Sequence, residues 1–322
     1  RFAYAAASQE PAAVGRIDRY QVAPNGALTP LGDPTPTPRP FGIAIDAFGR
    51  AVYATNIING PGNGTLSAFR VGAGGTLTPL NTVDSGAVHP KGVAVTPDRR
   101  FVYVAHGTPH ATERSALTGF ALGADGSVQD MVARETIGVS GHRALITPDG
   151  RFVYVTHQES EDAPDIYGFR IGLHGDLTPL PGSPFEAGIW TEGAVISPDG
   201  LRLYVAALGT VGPPEAPVRD GQIRGFAIGE DGRLTEITRL DFGLDPIDMA
   251  FGLDGKHMYL SDFAANDITV FDVDRHGQLT PVQTEPSQGP NPGFQSVVVQ
   301  PRLYLAPENQ HTSLFFRTVN SN

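Results

Sequence analysis

Read only for its apolar and polar positions, the chain repeats one unit from end to end. An apolar-Tyr-apolar strand occurs as RFAYAA at Arg1, AVYAT at Ala51, FVYVA at Phe101 and FVYVT at Phe152. It continues as LRLYV at Leu201, HMYLS at His257 and RLYLA at Arg302. The tyrosines are Tyr4, Tyr53, Tyr103, Tyr154, Tyr204, Tyr259 and Tyr304, so successive spacings are 49, 50, 51, 50, 55 and 45 residues. That period matches one four-stranded propeller blade with its loops.

Three further strands recur in phase. Before the tyrosine strand comes a short apolar run and a turn, as in GVAVTPDRR from Gly92, ALITPDG from Ala144 and AVISPDG from Ala194. In the turn Pro presets φ, Asp bonds nearby backbone and Gly accepts positive φ. After the tyrosine strand comes an alternating strand ending near a phenylalanine (LSAFRV, LTGFAL, IYGFRI, IRGFAI, ITVFDV). A Gly-containing turn then leads to GTLTPL, GDLTPL, GRLTEI or GQLTPV. Period-two alternation broken by turn residues predicts antiparallel strands, here labelled A to D from the axis outwards. No amphipathic helix of useful length is expected. The expected fold is all-β: a seven-bladed β-propeller of four-stranded antiparallel blades, with 1–322 as one domain. Strands B and C occur seven times and A and D six, so the first blade lacks A and the last lacks D. The alternative is six blades and a C-terminal tail, with Gln295–Gln300 closing the first blade.

Composition narrows the partners. The 322 residues carry a formal net charge of −11 and no Cys, with 23 Lys and Arg against 34 Asp and Glu. An acidic chain without basic runs has no electrostatic grip on nucleic acid or anionic membranes, and neither is expected as a partner. Disulfides and thiolate chemistry are excluded. No stretch approaches the length of a transmembrane helix. No G-x-S-x-G elbow or P-loop appears, so serine hydrolase and nucleotide-phosphate chemistry find no support. A small-molecule ligand remains.

The segments PDGRFVYV from Pro148, GDLTPLPGSPF from Gly175 and GFAIGEDGRLT from Gly225 resemble the lactonase-type seven-bladed propellers. That group includes a bacterial 6-phosphogluconolactonase and fungal carboxymuconate cyclases. The resemblance covers essentially the whole chain and implies the fold, with a lactone as the substrate class. In the phosphogluconolactonase-like members a Gly-x-His segment starts a blade and a Gly-Pro-Arg-His type segment follows a blade later. A glutamate then lies beyond the next Tyr-containing strand. Here Gly141-His142-Arg143 matches the first; Ile189-Trp190-Thr191-Glu192 stands at the second without the Arg or His, and YVAALG around Tyr204 has no acid.

In a propeller the D-to-A and B-to-C loops share the face around the axial opening, so residues just before A strands and just after B strands converge. The D-to-A side offers Arg39, His89, Lys91, His142 and Arg143, then Trp190, Glu192, Asp245 and Asp248. The B-to-C side offers Asn56, His106, His157, Glu159, Asp262 and Glu308. His142 or His157 is expected as a base that activates water against a lactone carbonyl, with Glu159 as its orienter. Arg143 is expected to stabilise the oxyanion or, with Arg39, to hold a carboxylate. His89, Lys91, His106, Trp190, Glu192, Asp248 and Asp262 are expected to bind substrate around them. The competing structural reading has strand-end histidines capping loop backbone. Four imidazoles from neighbouring blades with Glu192 or Asp262 would suit a metal, but no tight ligand spacing appears, and neither metal nor cofactor is expected. The activity expected is opening or forming a small carboxylated lactone. The alternatives are a non-catalytic binding propeller and a biosynthetic cyclase or isomerase.

Overall fold

The computed structural model describes residues 2–8, 14–23, 28–58, 62–108, 114–157, 165–208, 221–243, 245–252, 254–262, 264–286 and 317–319. They form six β-sheets, with a single 3₁₀ turn at Ala73–Gly75 as the helical element among them. Blade 1 holds B (Phe2–Ser8), C (Val14–Val22) and a D strand in two pieces, Leu28–Pro30 and Thr35–Pro38. Blade 2 runs A to D as Pro40–Ile45, Ala51–Asn56, Thr65–Val71 and Leu77–Asp84. Blade 3 runs Pro90–Val95, Phe101–His106, Arg114–Leu122 and Val128–Val139. Blade 4 has Gly141–Ile146, Phe152–His157 and Asp165–Ile171, then Leu177–Pro179 and Phe185–Glu186 as outer pieces. Blade 5 has Thr191–Ile196, Arg202–Ala207, Gln222–Ile228 and Leu234–Asp241. Blade 6 has Pro246–Phe251, His257–Asp262, Asp267–Val273 and Leu279–Pro286.

The strand order within each of blades 2 to 6 is the expected A-B-C-D, antiparallel throughout. Inner strands of consecutive blades lie side by side, blade 1 against 2 and so on to 6. The strands expected for a seventh blade, around Gln295–Gln300 and Tyr304, lie outside the described residues. Beside blade 1, where no A strand was expected before Arg1, Arg317–Val319 pairs with Ala6–Ser8 in parallel.

The tyrosine register has a specific physical cause. Tyr4, Tyr53, Tyr103, Tyr154 and Tyr204 are buried between blades. Each donates its hydroxyl to the C-to-D turn of the next blade: to the carbonyls of Gly75 (3.1 Å), Gly126 (2.9 Å), Gly175 (2.9 Å), Gly232 (2.7 Å) and Gly277 (3.0 Å). The bond satisfies a phenol that would otherwise be buried without a partner. Burial pushes these phenols above their ordinary pKa, Tyr4 and Tyr204 to about 12. The receiving glycine is also dictated: Gly175 has φ +82°, and a Cβ there would sit 2.6 Å from the Phe101 ring. Around the staples, the B-strand residues Val102, Val153 and Leu203 are fully buried in the inter-blade cores.

Candidate functional site

Every A–B strand pair from blade 2 to blade 6 contains the same irregularity. In blade 2, Pro40 faces Asn56 and Ile43 faces Ala54, so two A residues oppose one B residue. The same shift falls between Pro90 and Val93, Gly141 and Ala144, Thr191 and Gly193, and Pro246 and Asp248. Such a bulge re-aims a side chain, and bulges gather beside working sites. The re-aimed residues are Phe41, Lys91, His142, Glu192 and Ile247. The residues after them are Gly42, Gly92, Arg143, Gly193 and Asp248.

The glycines explain how close the inner strands come. A Cβ at Gly42 would lie 2.1 Å from the Lys91 carbonyl oxygen, at Gly92 2.5 Å from that of His142, and at Gly193 2.4 Å from that of Ile247. Backbone passes backbone at these points, which only glycine permits. At the two remaining positions stand Arg143 and Asp248, and they pair with each other: Arg143 Nη2 lies 2.9 Å from Asp248 Oδ1, reaching across blade 5. Burial raises the Asp248 carboxyl above its ordinary pKa, with Arg143 pulling the other way. Met249 N–H also donates to Asp248 Oδ1 at 2.9 Å.

His142 sits at the centre of the cluster. Its Nδ1 lies 3.2 Å from the Glu192 carbonyl oxygen, and Arg143 Nε donates to the same oxygen at 3.0 Å. A carbonyl only accepts, so Nδ1 of His142 carries a proton. The Phe41 ring meets the imidazole edge-on with centroids 6.1 Å apart. Lys91 Nζ lies 6.0 Å from the Phe41 centroid and donates to Ser140 Oγ at 3.2 Å. Lys91, His142, Arg143, Glu192 and Asp248 are therefore brought together, drawn from blades 3 to 6. Phe41 joins them from blade 2, and Ser140 from the loop before blade 4. Sequence reasoning missed both, although Phe41 holds the same repeat position as Lys91 and His142.

A second tier lies directly before the A strands. Arg39, His89 and Trp190 are half-buried, and their carbonyls accept N–H bonds from Ile57 (3.0 Å), Gly107 (2.8 Å) and Leu208 (3.2 Å). His89, Ser140 and Trp190 hold left-handed backbone, with φ of +46°, +52° and +57°. Non-glycine residues there cost about 1–3 kcal/mol each, a strain that clusters at working sites.

The B-strand ends behave differently. Asn56, His106, His157 and Asp262 share one register position and are all buried. Asn56 donates to Thr65 Oγ1 and Ser67 Oγ and accepts from Thr37 Oγ1. His106 Nδ1 lies 3.1 Å from the Val88 carbonyl and its Nε2 2.9 Å from Thr118 Oγ1. Burial lowers the His106 pKa to about 4, against the opposing pull of its hydrogen bonds to backbone. Asp262 accepts the N–H groups of Asp245 and Ala265. The His157 ring packs against Tyr167 at 5.1 Å between centroids, while its backbone N–H donates to Thr191 Oγ1. Asn56, His106 and Asp262 thus tie their strand ends to neighbouring hydroxyls and loop backbone. Glu159 and Glu308 lie outside the described residues. Among the described residues no group of three or more His, Asp or Glu stands close enough to hold a metal. None of their helices is long and apolar enough to cross a membrane.

The sequence matches the family model described as lactonase, seven-bladed β-propeller, over residues 3–158 and 168–299. The chain belongs to this lactonase family. Among curated proteins no relative matches it. Solved structures share the architecture. A functionally unknown protein of Desulfotomaculum acetoxidans is 16% identical at TM-score 0.67, with 91% of this chain and 83% of that one covered. The periplasmic gluconolactonase of Pseudomonas aeruginosa is 17% identical at TM-score 0.54, covering 93% and 99%. A candidate 6-phosphogluconolactonase of Bacteroides uniformis is 18% identical at TM-score 0.54, covering 89% and 96%. At such identities the likeness carries the fold of a lactonase propeller, and the chemistry rests on the residues.

Proposed function

We propose that this lactonase-family propeller opens a small carboxylated lactone at the bulge cluster, with His142 as general base. The observation that carries the reading is the bond from His142 Nδ1 to the Glu192 carbonyl oxygen, which fixes the proton on Nδ1 and makes Nε2 the basic nitrogen of the neutral ring. His142 Nε2 takes a proton from water as the water oxygen adds to the lactone carbonyl carbon. The guanidinium of Arg143, held by Asp248 and the Glu192 carbonyl, stabilises the developing oxyanion with its remaining N–H groups. The ring C–O bond then breaks and the departing alkoxide takes the proton back from His142. Lys91 holds the substrate carboxylate beside the Phe41 ring. The orienter of the base is a backbone carbonyl of the next blade. The gluconolactonase of Pseudomonas aeruginosa supports lactones as the substrate class.

The test is a panel of carboxylated and sugar lactones offered to the wild-type chain and to His142→Ala. Turnover that falls about a hundredfold or more in the variant, at unchanged melting temperature, is the expected result. Full activity in His142→Ala refutes His142 as the base. A second reading, a non-catalytic binding propeller, is favoured by one observation: beyond Tyr204 the strand ends in buried Ala207 and Leu208, where the resemblance to phosphogluconolactonase-like propellers implies an acid. A wild-type chain that turns over none of the panel selects it.

A further inference from the structure

Thr55 of blade 2 and Thr156 of blade 4 hold one register position. Each faces the bulge pair of its own A strand, Phe41 and Gly42 in one case and His142 and Arg143 in the other. Both threonines are fully buried, but their hydroxyls fare differently. Thr55 Oγ1 accepts the Gly42 N–H at 2.8 Å and donates at 2.8 Å to the carbonyl of Lys91, the bulge residue of the next blade. Thr156 Oγ1 has no hydrogen-bond partner among the described residues.

The reason lies at the carbonyl that Thr156 should reach. By the same register that carbonyl belongs to Glu192, and the residues alongside are clasped together: Thr191 Oγ1 accepts the His157 N–H at 3.1 Å and donates to the His157 carbonyl at 3.0 Å. The Glu192 carbonyl already takes His142 Nδ1 at 3.2 Å and Arg143 Nε at 3.0 Å. A carbonyl oxygen has two lone pairs, so the third donor is shut out. A buried hydroxyl left unbonded is costly, and blade 3 avoids the cost with Ala105 at this position. A threonine kept in blade 4 at a loss needs a second arrangement in which its hydroxyl is bonded.

We infer that Thr156 is a positioning residue of this site, whose hydroxyl takes over the Glu192 carbonyl when Arg143 Nε turns away to the ligand. This rests on the bulge cluster being the working site and adds the step that frees Arg143. Arg143 keeps Asp248, His142 keeps the carbonyl, and the bond that Arg143 Nε gives up is replaced by the one Thr156 gains. The two arrangements therefore lie close in free energy, and the second is a minor state of the free protein.

The experiment compares Thr156→Val, Thr156→Ser and Thr55→Val with the wild type. In wild-type protein labelled at threonine methyls, NMR relaxation dispersion should show microsecond-to-millisecond exchange at Thr156 and none at Thr55. Thr156→Val should keep or raise the urea midpoint, because no bond is lost, whereas Thr55→Val should lower it. On any lactone the wild type opens, Thr156→Val should lower kcat about tenfold at unchanged KM, and Thr156→Ser should restore it. A flat dispersion profile at Thr156 overturns the inference on wild-type protein alone, whether or not the variants fold. So does a Thr156→Val midpoint that falls as far as that of Thr55→Val. Full kcat in Thr156→Val on a lactone that His142→Ala no longer opens sinks this inference and leaves the lactonase reading standing. Exchange at Thr156 with the expected midpoints, in a chain that opens no lactone, upholds the exchange of donors and refutes the lactonase reading.

Discussion

The ends of the B strands and the bulges of the A strands share one face of the ring, and both carry histidine, yet they serve the molecule differently. At the strand ends, Asn56, His106 and Asp262 direct their polar atoms at crossover backbone or at hydroxyls of the neighbouring strand. At the bulges, His142 gives one nitrogen to a carbonyl of the next blade, and the residue type changes from blade to blade. A cap ring varies among side chains that do the same job. On the proposed function, a lining ring varies because each position meets a different part of a ligand. The destination of the hydrogen bonds separates them, and residue type alone does not.

The largest effect expected from breaking that comparison is on the cap ring's response to acid. His106 has its folded pKa lowered to about 4, below an unfolded value near 6.5. The unfolded chain therefore binds the extra proton first as pH falls, and stability declines between about pH 6.5 and pH 4. Acidification through that window costs about 3 kcal/mol of stability through this one ring, which folded burial keeps from taking up the proton. His106→Asn, which copies Asn56 of blade 2, should flatten denaturant midpoints measured across it; an unchanged slope means that other groups govern acid sensitivity.

A smaller effect is expected in the lining ring. Asp248→Asn keeps a polar side chain beside Arg143 and removes the charge, so kcat should fall about tenfold on any lactone the wild type turns over. KM should move little, and Asp248→Glu should restore part of the rate. A loss seen in KM alone would make Asp248 a substrate contact instead. The smallest effect belongs to neither ring. Tyr103→Phe removes the bond to the Gly175 carbonyl and should cost about 1 kcal/mol in urea unfolding, with activity unchanged.

Much of this was legible in the sequence, and the reasons are local. Tyr103 and Gly175 announce themselves because a staple repeated in the five interfaces from blade 1 to blade 6 leaves a period in the chain. His142, Arg143 and Asp248 were found from their place before or within the A strands. Phe41 was passed over because an aromatic there reads as core, and only the bulge turns it inward. His106 and His157 were assigned to the same opening as His142, since the repeat fixes which loop a residue borders and not the direction of its side chain. The pairing of Arg143 with Asp248 skips a blade, and no spacing encodes a contact across an axis.

The tyrosine staple also sets a timetable for synthesis. Each hydroxyl from Tyr4 to Tyr204 waits for a carbonyl 71 to 78 residues further along the chain. A blade leaving the ribosome can pair its own strands at once, but it stays unfastened until most of the following blade has emerged. At roughly 5–20 residues per second that delay is several seconds for every blade. During it the flank of the newest sheet is uncovered, and the nascent chain always carries one unfinished face for a chaperone to guard.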